Sequence, residues 1–369
     1  MLIRARTLSI VTTYQCTAAC DHCCFTCSPQ ITKRIPREAI AALIADAAHI
    51  DSMRHVVFTG GECFLLGDEL VEHVRHAASH GFVVRCLSNG YWAVNDNGAV
   101  RRLTPLREAG LRSLVISTGP MHARYVPVDR VRIAASTAAE MGCDVTVTLE
   151  TFVGAEIDRA VLMSEPRFAA LVDDGLITID ESPWVPEVEG NGSAELAHVN
   201  AQLRFRDESS ATRCGSIFDT ISATPNMRIN ACCGFPMENL EQLQLGSFAE
   251  ATLRDVLSSA VDDFLRIWIH VDGPERILRF VRSHEPSFEL PLDSAHICSS
   301  CAYLLKSETA MNVVGAHYRE IEERVVNDYI ALLRVQRDRL RAKPRLSAPG
   351  AAPATPARHP RMAESVTGL

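Results

Sequence analysis

Short apolar runs alternate with longer segments of helical character from residue 8 to about residue 186. Each apolar run has the length of one strand, and each interval has room for a helix. The predicted strands are Thr7–Thr13, His55–Thr59, Val83–Ser88, Ser113–Thr118, Asp144–Thr151 and Leu176–Ile179, and the predicted helices are Pro36–Ile50, Gly67–His80, Asn97–Ala109, Val128–Met141 and Pro166–Asp173. Such alternation implies parallel strands joined by right-handed helical crossovers. The pattern therefore predicts an α/β fold, either an open doubly wound sheet or a partial barrel, with functional loops at the carboxyl ends of the strands.

The fifth predicted strand indicates the character of the two faces of the sheet. In residues 145–150, apolar residues alternate with Thr146, Thr148 and Glu150. A parallel strand that is buried under helices is usually apolar on both faces. A polar inner face therefore favours a barrel whose interior holds water or a ligand.

The remainder of the chain is organised differently. Residues 187–213 are polar and acidic and are predicted to form a linker. Thr220–Ala223 and Arg228–Ala231 flank a turn and predict a hairpin. Helices are expected at 248–259, 260–270, 274–283 and, as one long amphipathic helix, 307–342. The segment 343–369 is rich in proline and alanine, so it is predicted to be a disordered tail.

Charge and hydropathy exclude several classes of protein. The 369 residues include 37 Lys and Arg against 45 Asp and Glu, a net charge of −8, so there is no basic excess for binding nucleic acid. No apolar run reaches the roughly 18 residues that span a bilayer. The amino terminus has no signal-peptide core. We therefore expect a cytoplasmic protein without a nucleic-acid or membrane partner.

Cysteine departs from this ordinary composition. The chain has 13 cysteines, of which five lie between Cys16 and Cys27 and five more are Cys214, Cys232, Cys233, Cys298 and Cys301. In a reducing compartment, clustered thiols bind metal or take part in redox chemistry more often than they form disulfides. Cys24 and Cys27 are expected to pack beneath their loop, with no catalytic role; lining the cofactor pocket and binding a separate metal are the alternatives.

The first group of thiols has the spacing C-x3-C-x2-C, formed by Cys16, Cys20 and Cys23 directly after a predicted strand. Three thiolates in one short loop can hold three irons of a cubane cluster, which leaves the fourth iron open to a small chelating molecule. Zinc is the alternative. One C-x2-C pair, either Cys20 with Cys23 or Cys24 with Cys27, could combine with Cys298 and Cys301 into a four-thiolate site.

A second motif, Gly60-Gly61-Glu62, ends the second predicted strand. Glycines let the main chain approach a ligand closely, and a carboxylate pairs with a cation. Together with the cysteine loop, this motif resembles the radical S-adenosylmethionine superfamily over about residues 8–186. The resemblance implies that the three cysteines of the loop ligate a [4Fe-4S] cluster whose open iron is chelated by the methionine part of S-adenosylmethionine. It also implies that the glycine pair and Glu62 hold the methionine ammonium.

The resemblance extends to further positions near the cofactor. His22 lies where the family usually has an aromatic residue beside the cofactor. Ser88 and Asn89 end the third strand, where similar proteins have a polar turn, and Ser117 ends the fourth, where the family often has a serine that touches the ribose. Thr118 replaces the aspartate that usually follows this serine, which leaves its role open. An ordinary strand-to-helix turn is the alternative at both places.

The thiols of the carboxyl-terminal half resemble a SPASM domain or its shorter Twitch relative. The resemblance implies one auxiliary [4Fe-4S] cluster, ligated by Cys214, Cys298, Cys301 and one of Cys232 and Cys233. A full SPASM domain has more cysteines and two auxiliary clusters, so the chain departs from that pattern. Four cysteines also coordinate zinc, which is the alternative at this second site.

The implied architecture is a partial (β/α)6 TIM-like barrel with a smaller carboxyl-terminal α+β iron–sulfur domain. The barrel is expected to span 1–186 and the auxiliary-cluster domain 214–306, with the linker between them and the long helix and tail after them. Candidate catalytic carboxylates are Glu150 and, at the end of the sixth strand, Asp180 and Glu181. A solvated acidic surface is the alternative for the last two.

The implied activity is reductive cleavage of S-adenosylmethionine to a 5′-deoxyadenosyl radical, which abstracts hydrogen from a substrate C–H bond. The electron would come from a donor such as flavodoxin or ferredoxin. Enzymes with similar auxiliary domains commonly oxidise or crosslink peptides, so a peptide is the expected substrate. A small-molecule metabolite such as a sugar, an amine or an amino-acid derivative is one alternative. A zinc-bound structural or regulatory protein is the alternative from a different class.

Overall fold

One sheet forms the centre of the protein. The computed structural model of the chain describes residues 3–152, 155–183, 212–234, 237–260, 263–291 and 296–342. Within these ranges the strands are β1 (Thr7–Val11), β2 (His55–Thr59), β3 (Val83–Ser88), β4 (Leu111–Thr118), β5 (Asp144–Thr151), β6 (Ile177–Pro183), β7 (Thr220–Ala223), β8 (Arg228–Asn230) and β9 (Gln244–Ser247). All the strands predicted for the amino-terminal half are present, with ends that differ by a few residues.

The order of the strands identifies the fold. Neighbours follow in the order β6-β5-β4-β3-β2-β1-β7-β8-β9, and every pair from β1 to β6 is parallel. In a doubly wound sheet the strand order reverses at a switch point. Strands β1 to β6 show no reversal, so their crossovers all wind in one direction, as in a partial (β/α)6 barrel. The predicted fold class is confirmed, and the doubly wound alternative is wrong.

Helices alternate with the strands of the barrel. They are α1 (Arg37–Ala48), α2 (Asp68–Ser79), α3 (Asp96–Ala109), α4 (Pro120–Ala123), α5 (Val128–Glu140), α6 (Arg159–Met163) and α7 (Pro166–Asp173). Local signals fix some of their ends: the Asn95 side chain accepts a hydrogen bond from the Gly98 N–H at the start of α3, and Gly110 ends that helix in the left-handed conformation. Every helix predicted in this half is present, and α4 and α6 are short additions.

The two faces of the barrel sheet differ as the fifth strand predicts. On β5 the apolar residues are buried, whereas Thr146, Thr148 and Glu150 are only partly buried. Since side chains alternate between the faces of a strand, the three polar residues share one face. That face is the concave inner one, because Glu150 lines the interior cavity.

Strand β7 joins the two halves of the chain. It pairs with β1 in parallel, from Thr7 opposite Thr220 to Ile10 opposite Ala223, and continues into the antiparallel strands β8 and β9. The predicted hairpin is present, and its first strand extends the barrel sheet instead of starting a separate one. The predicted linker lies mostly, and the predicted tail entirely, outside the described residues.

The described residues of the carboxyl-terminal half are mainly helical. Its helices are α8 (Leu253–Ser259), α9 (Phe264–Asp272), α10 (Pro274–His284), α11 (Ile297–Lys306), α12 (Glu308–His317) and α13 (Glu322–Ala342). The helices expected at 248–259 and 260–270 both begin several residues later than predicted. In the described part of the chain, no helix combines the length and the apolar character needed to cross a membrane.

The prediction of one continuous helix over 307–342 is wrong. A turn of 3-10 helix at Tyr318–Glu320 divides it into α12 and α13. Tertiary contacts explain the break, because Glu320 lies 3.0 Å from Nε2 of His284 on α10 and the Tyr318 ring packs 5.4 Å from that of Phe264 on α9. Such contacts override the helical preference that the segment shows on its own.

Candidate functional site

A cavity of about 570 Å³ lies on the inner side of the curved sheet. Its wall runs from residues near the amino ends of the strands, such as Thr7 and Arg85, to the loops at their carboxyl ends. Cys233, Met237 and His296 of the carboxyl-terminal half line the same cavity. Proteins built on α/β barrels carry their active sites at the carboxyl ends of the strands, where this cavity opens into the loops.

The thiols of Cys16, Cys20 and Cys23 all line this cavity. Main-chain hydrogen bonds shape their loop: the Cys23 N–H donates to the Cys20 carbonyl at 3.1 Å and the Cys16 N–H to the Ser28 carbonyl at 3.2 Å. Burial raises the pKa of Cys16 to about 11 and also raises the pKa of Cys20, and charge on Cys23 adds to both shifts. A hydrogen bond from Cys27 lowers the pKa of Cys23 to about 6. A bound cation at this loop would favour the thiolate form of all three.

Cys27 is tied closely to the cysteine loop. Its side chain is buried, and its N–H donates to the Cys23 sulfur at 3.3 Å. Cys24 and Cys27 also contribute to the cavity wall. Cys27 is thus both packed beneath the loop and part of the cavity wall, so the expected packing and the alternative of lining the pocket both describe it. Its contact with Cys23 was not indicated by the sequence. Hydrogen bonds to a ligating sulfur influence the reduction potential of an iron–sulfur cluster.

The glycine pair packs against the cysteine loop itself. The Gly61 N–H donates to the Thr13 carbonyl at 2.7 Å, and the Glu62 N–H donates to the Gln15 carbonyl at 2.9 Å. A Cβ atom on Gly61 would lie 2.3 Å from the Gln15 oxygen, and one on Gly60, where φ is +149°, would lie 2.6 Å from the Thr13 oxygen. No larger residue fits there without displacing the loop. The glycines therefore let the end of β2 approach the cysteine loop.

Glu62 is fully buried, and it is not among the residues that line the cavity within the described ranges. Its Oε1 accepts a hydrogen bond from the Phe64 N–H at 3.0 Å, and its Oε2 accepts from the Ser88 hydroxyl at 3.0 Å and the Asn89 N–H at 2.8 Å. Burial raises its pKa to about 7 in spite of these bonds. The carboxylate ties the end of β2 to the end of β3, and its pairing with an ammonium group stays a prediction.

The turn after β3 brings its polar residues to the cavity. Ser88 and Asn89 both line it, and Asn89 Nδ2 donates to the Cys16 sulfur at 3.7 Å. Ser117, at the end of β4, lines the cavity as well. Thr118 is buried, and its hydroxyl has no hydrogen-bond partner among the described residues. Ser88, Asn89 and Ser117 thus all line the cavity, together with the predicted cofactor-binding residues His22, Gly60 and Gly61.

Glu150, His22 and His122 meet at the carboxyl ends of β4 and β5. Glu150 Oε2 lies 2.6 Å from His22 Nε2 and 3.2 Å from His122 Nδ1, and the two imidazole centroids are 5.0 Å apart. Burial acts to raise the pKa of Glu150, but the contacts with His122 and His22 outweigh it and hold this pKa at about 2. The cavity therefore has an ionised carboxylate near the thiol of Cys20, whose pKa it raises.

The other two candidate carboxylates lie away from the cavity. Asp180 and Glu181 are exposed, and Glu181 Oε1 is 3.7 Å from Arg159 Nη1. Neither lines the cavity in the described part of the chain, whereas the next residue, Ser182, does. The expectation that this pair acts in catalysis is not met by their placement, and the alternative of a solvated acidic surface describes them. Of the three candidate catalytic carboxylates, Glu150 is the one that lines the cavity.

The carboxyl-terminal thiols converge beside the same cavity. Burial raises the pKa of Cys298 well above its usual range, and charges on Cys232, Cys301, Cys214 and Cys233 raise it further. These charge effects place the other four thiols in the neighbourhood of Cys298. Cys232 is buried, whereas Cys233 is exposed in the cavity wall. Cys233 therefore faces the cavity, and which of the two cysteines is a ligand stays a prediction.

Several wall residues were missed by the sequence reasoning. His122 lies in α4 shortly after the Ser117 turn, and His296 immediately precedes α11, where its Nδ1 accepts from the Cys298 N–H at 3.2 Å. Closeness to a predicted motif was the available signal for both residues. Arg85 and Met237 carry no local signal, because only the closed sheet brings them to the cavity.

Comparisons with known proteins find one curated relative and several solved structures of similar fold. YydG of Bacillus subtilis, provisionally named as a peptide biosynthesis protein, is 22% identical over 310 residues, which cover 83% of this chain and 94% of YydG. SuiB of Streptococcus suis, solved with the precursor peptide SuiA, matches with 12% identity and a TM-score of 0.50 over 69% of this chain and 64% of SuiB. BtrN, solved with AdoMet and 2-DOIA, matches with 14% identity and a TM-score of 0.44 over 72% of this chain and 87% of BtrN. No protein-family profile matches the chain.

Proposed function

We propose that this chain, an enzyme of the radical S-adenosylmethionine superfamily, oxidises or crosslinks a peptide. One observation carries the proposal. The cysteine loop packs directly on Gly60 and Gly61 at the carboxyl end of the barrel, in a cavity that extends to Cys233 beside a second group of thiols. A single chamber thus holds the residues expected to bind the cofactor and reaches the residues expected to bind an auxiliary cluster.

The cysteine loop suits an iron–sulfur cluster. Its three ligand thiols share one wall, and two of them have raised pKa values that a cluster of cations would reverse. When bound, the [4Fe-4S] cluster and S-adenosylmethionine supply a 5′-deoxyadenosyl radical that abstracts a hydrogen atom from a C–H bond. The protein orients the reactants and keeps water away from them.

Polar residues around the loop suit the remainder of the cofactor. Asn89 donates to the Cys16 sulfur, and Ser117 offers a hydroxyl at the end of β4. Ionised Glu150 between His22 and His122 can accept hydrogen bonds from hydroxyl groups. We assign these residues to the positioning of S-adenosylmethionine.

The second group of thiols suits one auxiliary [4Fe-4S] cluster on Cys214, Cys232, Cys298 and Cys301. Cys298 and Cys301 lie in the first turns of α11, and the amino terminus of a helix stabilises nearby negative charge. Oxidation of a substrate after hydrogen abstraction leaves an electron, and an iron cluster can accept it whereas zinc has no redox state to do so. A flavodoxin or ferredoxin would supply the electron that starts the reaction.

A peptide is the substrate class that the relatives favour. YydG matches along nearly its whole length and is named for peptide biosynthesis, and SuiB was solved with a precursor peptide. A hydrogen-transfer experiment tests this assignment without knowledge of the substrate. Cells that carry the gene with Cys20→Ala are grown in fully deuterated medium, so that unmodified substrate accumulates with deuterium on carbon.

The extract is separated into a peptide fraction and a small-molecule fraction, and each is mixed with reduced holoenzyme and unlabelled S-adenosylmethionine. We expect mass spectrometry to find deuterium in the 5′-deoxyadenosine formed with the peptide fraction. Deuterium only from the small-molecule fraction would replace the peptide by a metabolite. No 5′-deoxyadenosine with either fraction would contradict the radical activity itself. The triple variant Cys16→Ala, Cys20→Ala and Cys23→Ala is the control for cleavage by traces of other enzymes.

A further inference from the structure

Arg85 on β3 has an unusual position for an arginine in the middle of a sheet. Its side chain is exposed although both neighbouring strands are paired, because it points into the open interior of the barrel and lines the cavity. The register places Arg85 beside Val57 of β2 and Ser113 of β4, and Val57 beside Ser9 of β1. One layer of inward-facing side chains near the amino ends of these strands therefore surrounds the guanidinium.

No carboxylate of the described residues lies within 4 Å of the Arg85 guanidinium, although acidic residues outnumber basic ones in the chain. Within the same described residues, its one side-chain hydrogen bond runs from Nε to the Ser113 hydroxyl at 3.2 Å. Asp144, opposite Ser113 on β5, is exposed and makes no ion pair with it. Glu150 lies at the other end of the cavity and forms an ion pair with His22. Most of the donors of the guanidinium fork thus face the cavity.

The surroundings of Arg85 are also suited to an anion. His55 precedes Val57 on the same face of β2, and burial lowers its pKa to about 4, with the positive charges of Arg6, Arg85 and Arg54 lowering it further. On β7, Ser222 lies opposite Ser9, and its buried hydroxyl has no hydrogen-bond partner among the described residues. This end of the cavity combines positive potential with an unused hydroxyl donor.

We propose that Arg85 binds a carboxylate of the substrate and so selects a peptide that presents a carboxylate at this end of the cavity. A guanidinium binds a carboxylate through two parallel hydrogen bonds. These bonds fix the orientation of the carboxylate, and the positive charge balances its negative charge. Arg85 lies three positions before Ser88 on β3, and this corresponds to roughly 10 Å along the strand toward the cofactor end. A carboxylate anchored there would place a neighbouring part of the same peptide next to the cofactor.

This inference rests on the proposed function, because it assumes that a peptide enters the cavity. The carboxylate has two possible sources, an Asp or Glu side chain or the carboxyl terminus of the peptide. Both present the same group to Arg85, and the experiment distinguishes them. Arg85 acts as a specificity-determining residue, since it lies too far from the cofactor end to take part in the chemistry.

The test uses holoenzyme saturated with S-adenosylmethionine and two synthetic libraries of short random peptides, one ending in a free carboxylate and the other in an amide. Peptides retained on the immobilised enzyme are sequenced by mass spectrometry, and the affinity of the best one is measured. We expect wild type to retain acidic peptides from the amide library, or free acids in preference to amides. Arg85→Gln should weaken that peptide roughly 10- to 100-fold, as the loss of a charge-assisted hydrogen bond predicts.

Two further variants complete the design. Arg85→Lys keeps the charge and loses the planar fork, so its affinity should lie between those of wild type and Arg85→Gln, and it replaces Arg85→Gln if that variant does not fold. Arg112→Gln alters an exposed arginine on the neighbouring strand β4, away from the cavity wall, and should bind like wild type.

Two results would overturn the inference: a retained pool no richer in carboxylates than the input, or equal affinity of wild type and Arg85→Gln. If the enzyme shows no preference for carboxylates but the peptide fraction still yields labelled 5′-deoxyadenosine, the role of Arg85 is rejected and the proposed function is supported. If neither library is retained and the label comes only from small molecules, both fall together.

Discussion

The substitution Glu62→Gln separates the structural role of this residue from its proposed role at the cofactor. The buried carboxylate accepts hydrogen bonds from the Phe64 N–H, the Asn89 N–H and the Ser88 hydroxyl. Glutamine has a single acceptor oxygen, so at least one of these donors must face an NH2 group. A buried donor that loses its partner lowers the free energy of unfolding by about 1–3 kcal/mol.

The ionisation of Glu62 lowers the stability of wild type as the pH rises, and so narrows the difference from the variant. Burial raises the pKa of Glu62 from 4.5 to about 7. Because the folded pKa lies above the unfolded one, the folded protein holds this proton more tightly, and the resulting stability is present below pH 4.5 and lost as the pH rises through 7. At about 1.4 kcal/mol per pKa unit, wild type should lose about 3 kcal/mol of unfolding free energy across this window. Glutamine has no proton to release, so it loses none.

Anaerobic urea unfolding of both holoenzymes, followed by circular dichroism without S-adenosylmethionine, measures this difference. Near pH 5, Glu62→Gln should be less stable by about 1–3 kcal/mol. Near pH 8 the gap should close or reverse. Parallel pH profiles for the two proteins would refute the reasoning.

The pairing with an ammonium group is measured on the same variant. Its iron content should stay unchanged while S-adenosylmethionine binds roughly ten- to a hundredfold more weakly. Loss of the cluster in Glu62→Gln would leave only the structural role.

Three further tests by substitution address the rest of the site. Changing Cys16, Cys20 and Cys23 together to Ala should remove about four irons per chain and abolish 5′-deoxyadenosine formation, and unchanged cleavage would reject the ligand assignment. Gly61→Ala should reduce iron in the first cluster, because its Cβ would lie 2.3 Å from the Gln15 carbonyl oxygen, and full occupancy by iron analysis would contradict that packing. In the background of the triple cysteine variant, Cys232→Ala should lose the remaining iron and its electron-resonance signal, while Cys233→Ala should keep both. The reverse pattern would make Cys233 the ligand. One zinc without iron would make the second site structural.

The sequence was sufficient where each element depends on its own residues. Strand β5 could be predicted together with its polar inner face, because alternation is a local property of the segment. The pairing of β7 with β1 could not be predicted. It depends on contacts between residues far apart in the sequence: the Arg6 and Thr7 N–H groups donate to the Asp219 carbonyl at 2.8 and 3.0 Å, and no local pattern indicates this contact. The meeting of His122 with Glu150 is of the same kind. The break near Tyr318 was missed because helical periodicity continues through it.

The joining of the two halves has a consequence for the chemistry. Tyr14, two residues before Cys16, donates its hydroxyl to Glu238, and Asn226 in the turn between β7 and β8 donates to the same carboxylate at 2.6 Å. Burial and the contact with Glu238 raise the pKa of Tyr14, so its hydroxyl keeps the proton that this bond requires. Cys232 follows closely after β8. The loop with the first thiols and the hairpin that leads to the second are thus held together by hydrogen bonds that need no metal, and a substrate in the cavity between them would meet both at a fixed separation.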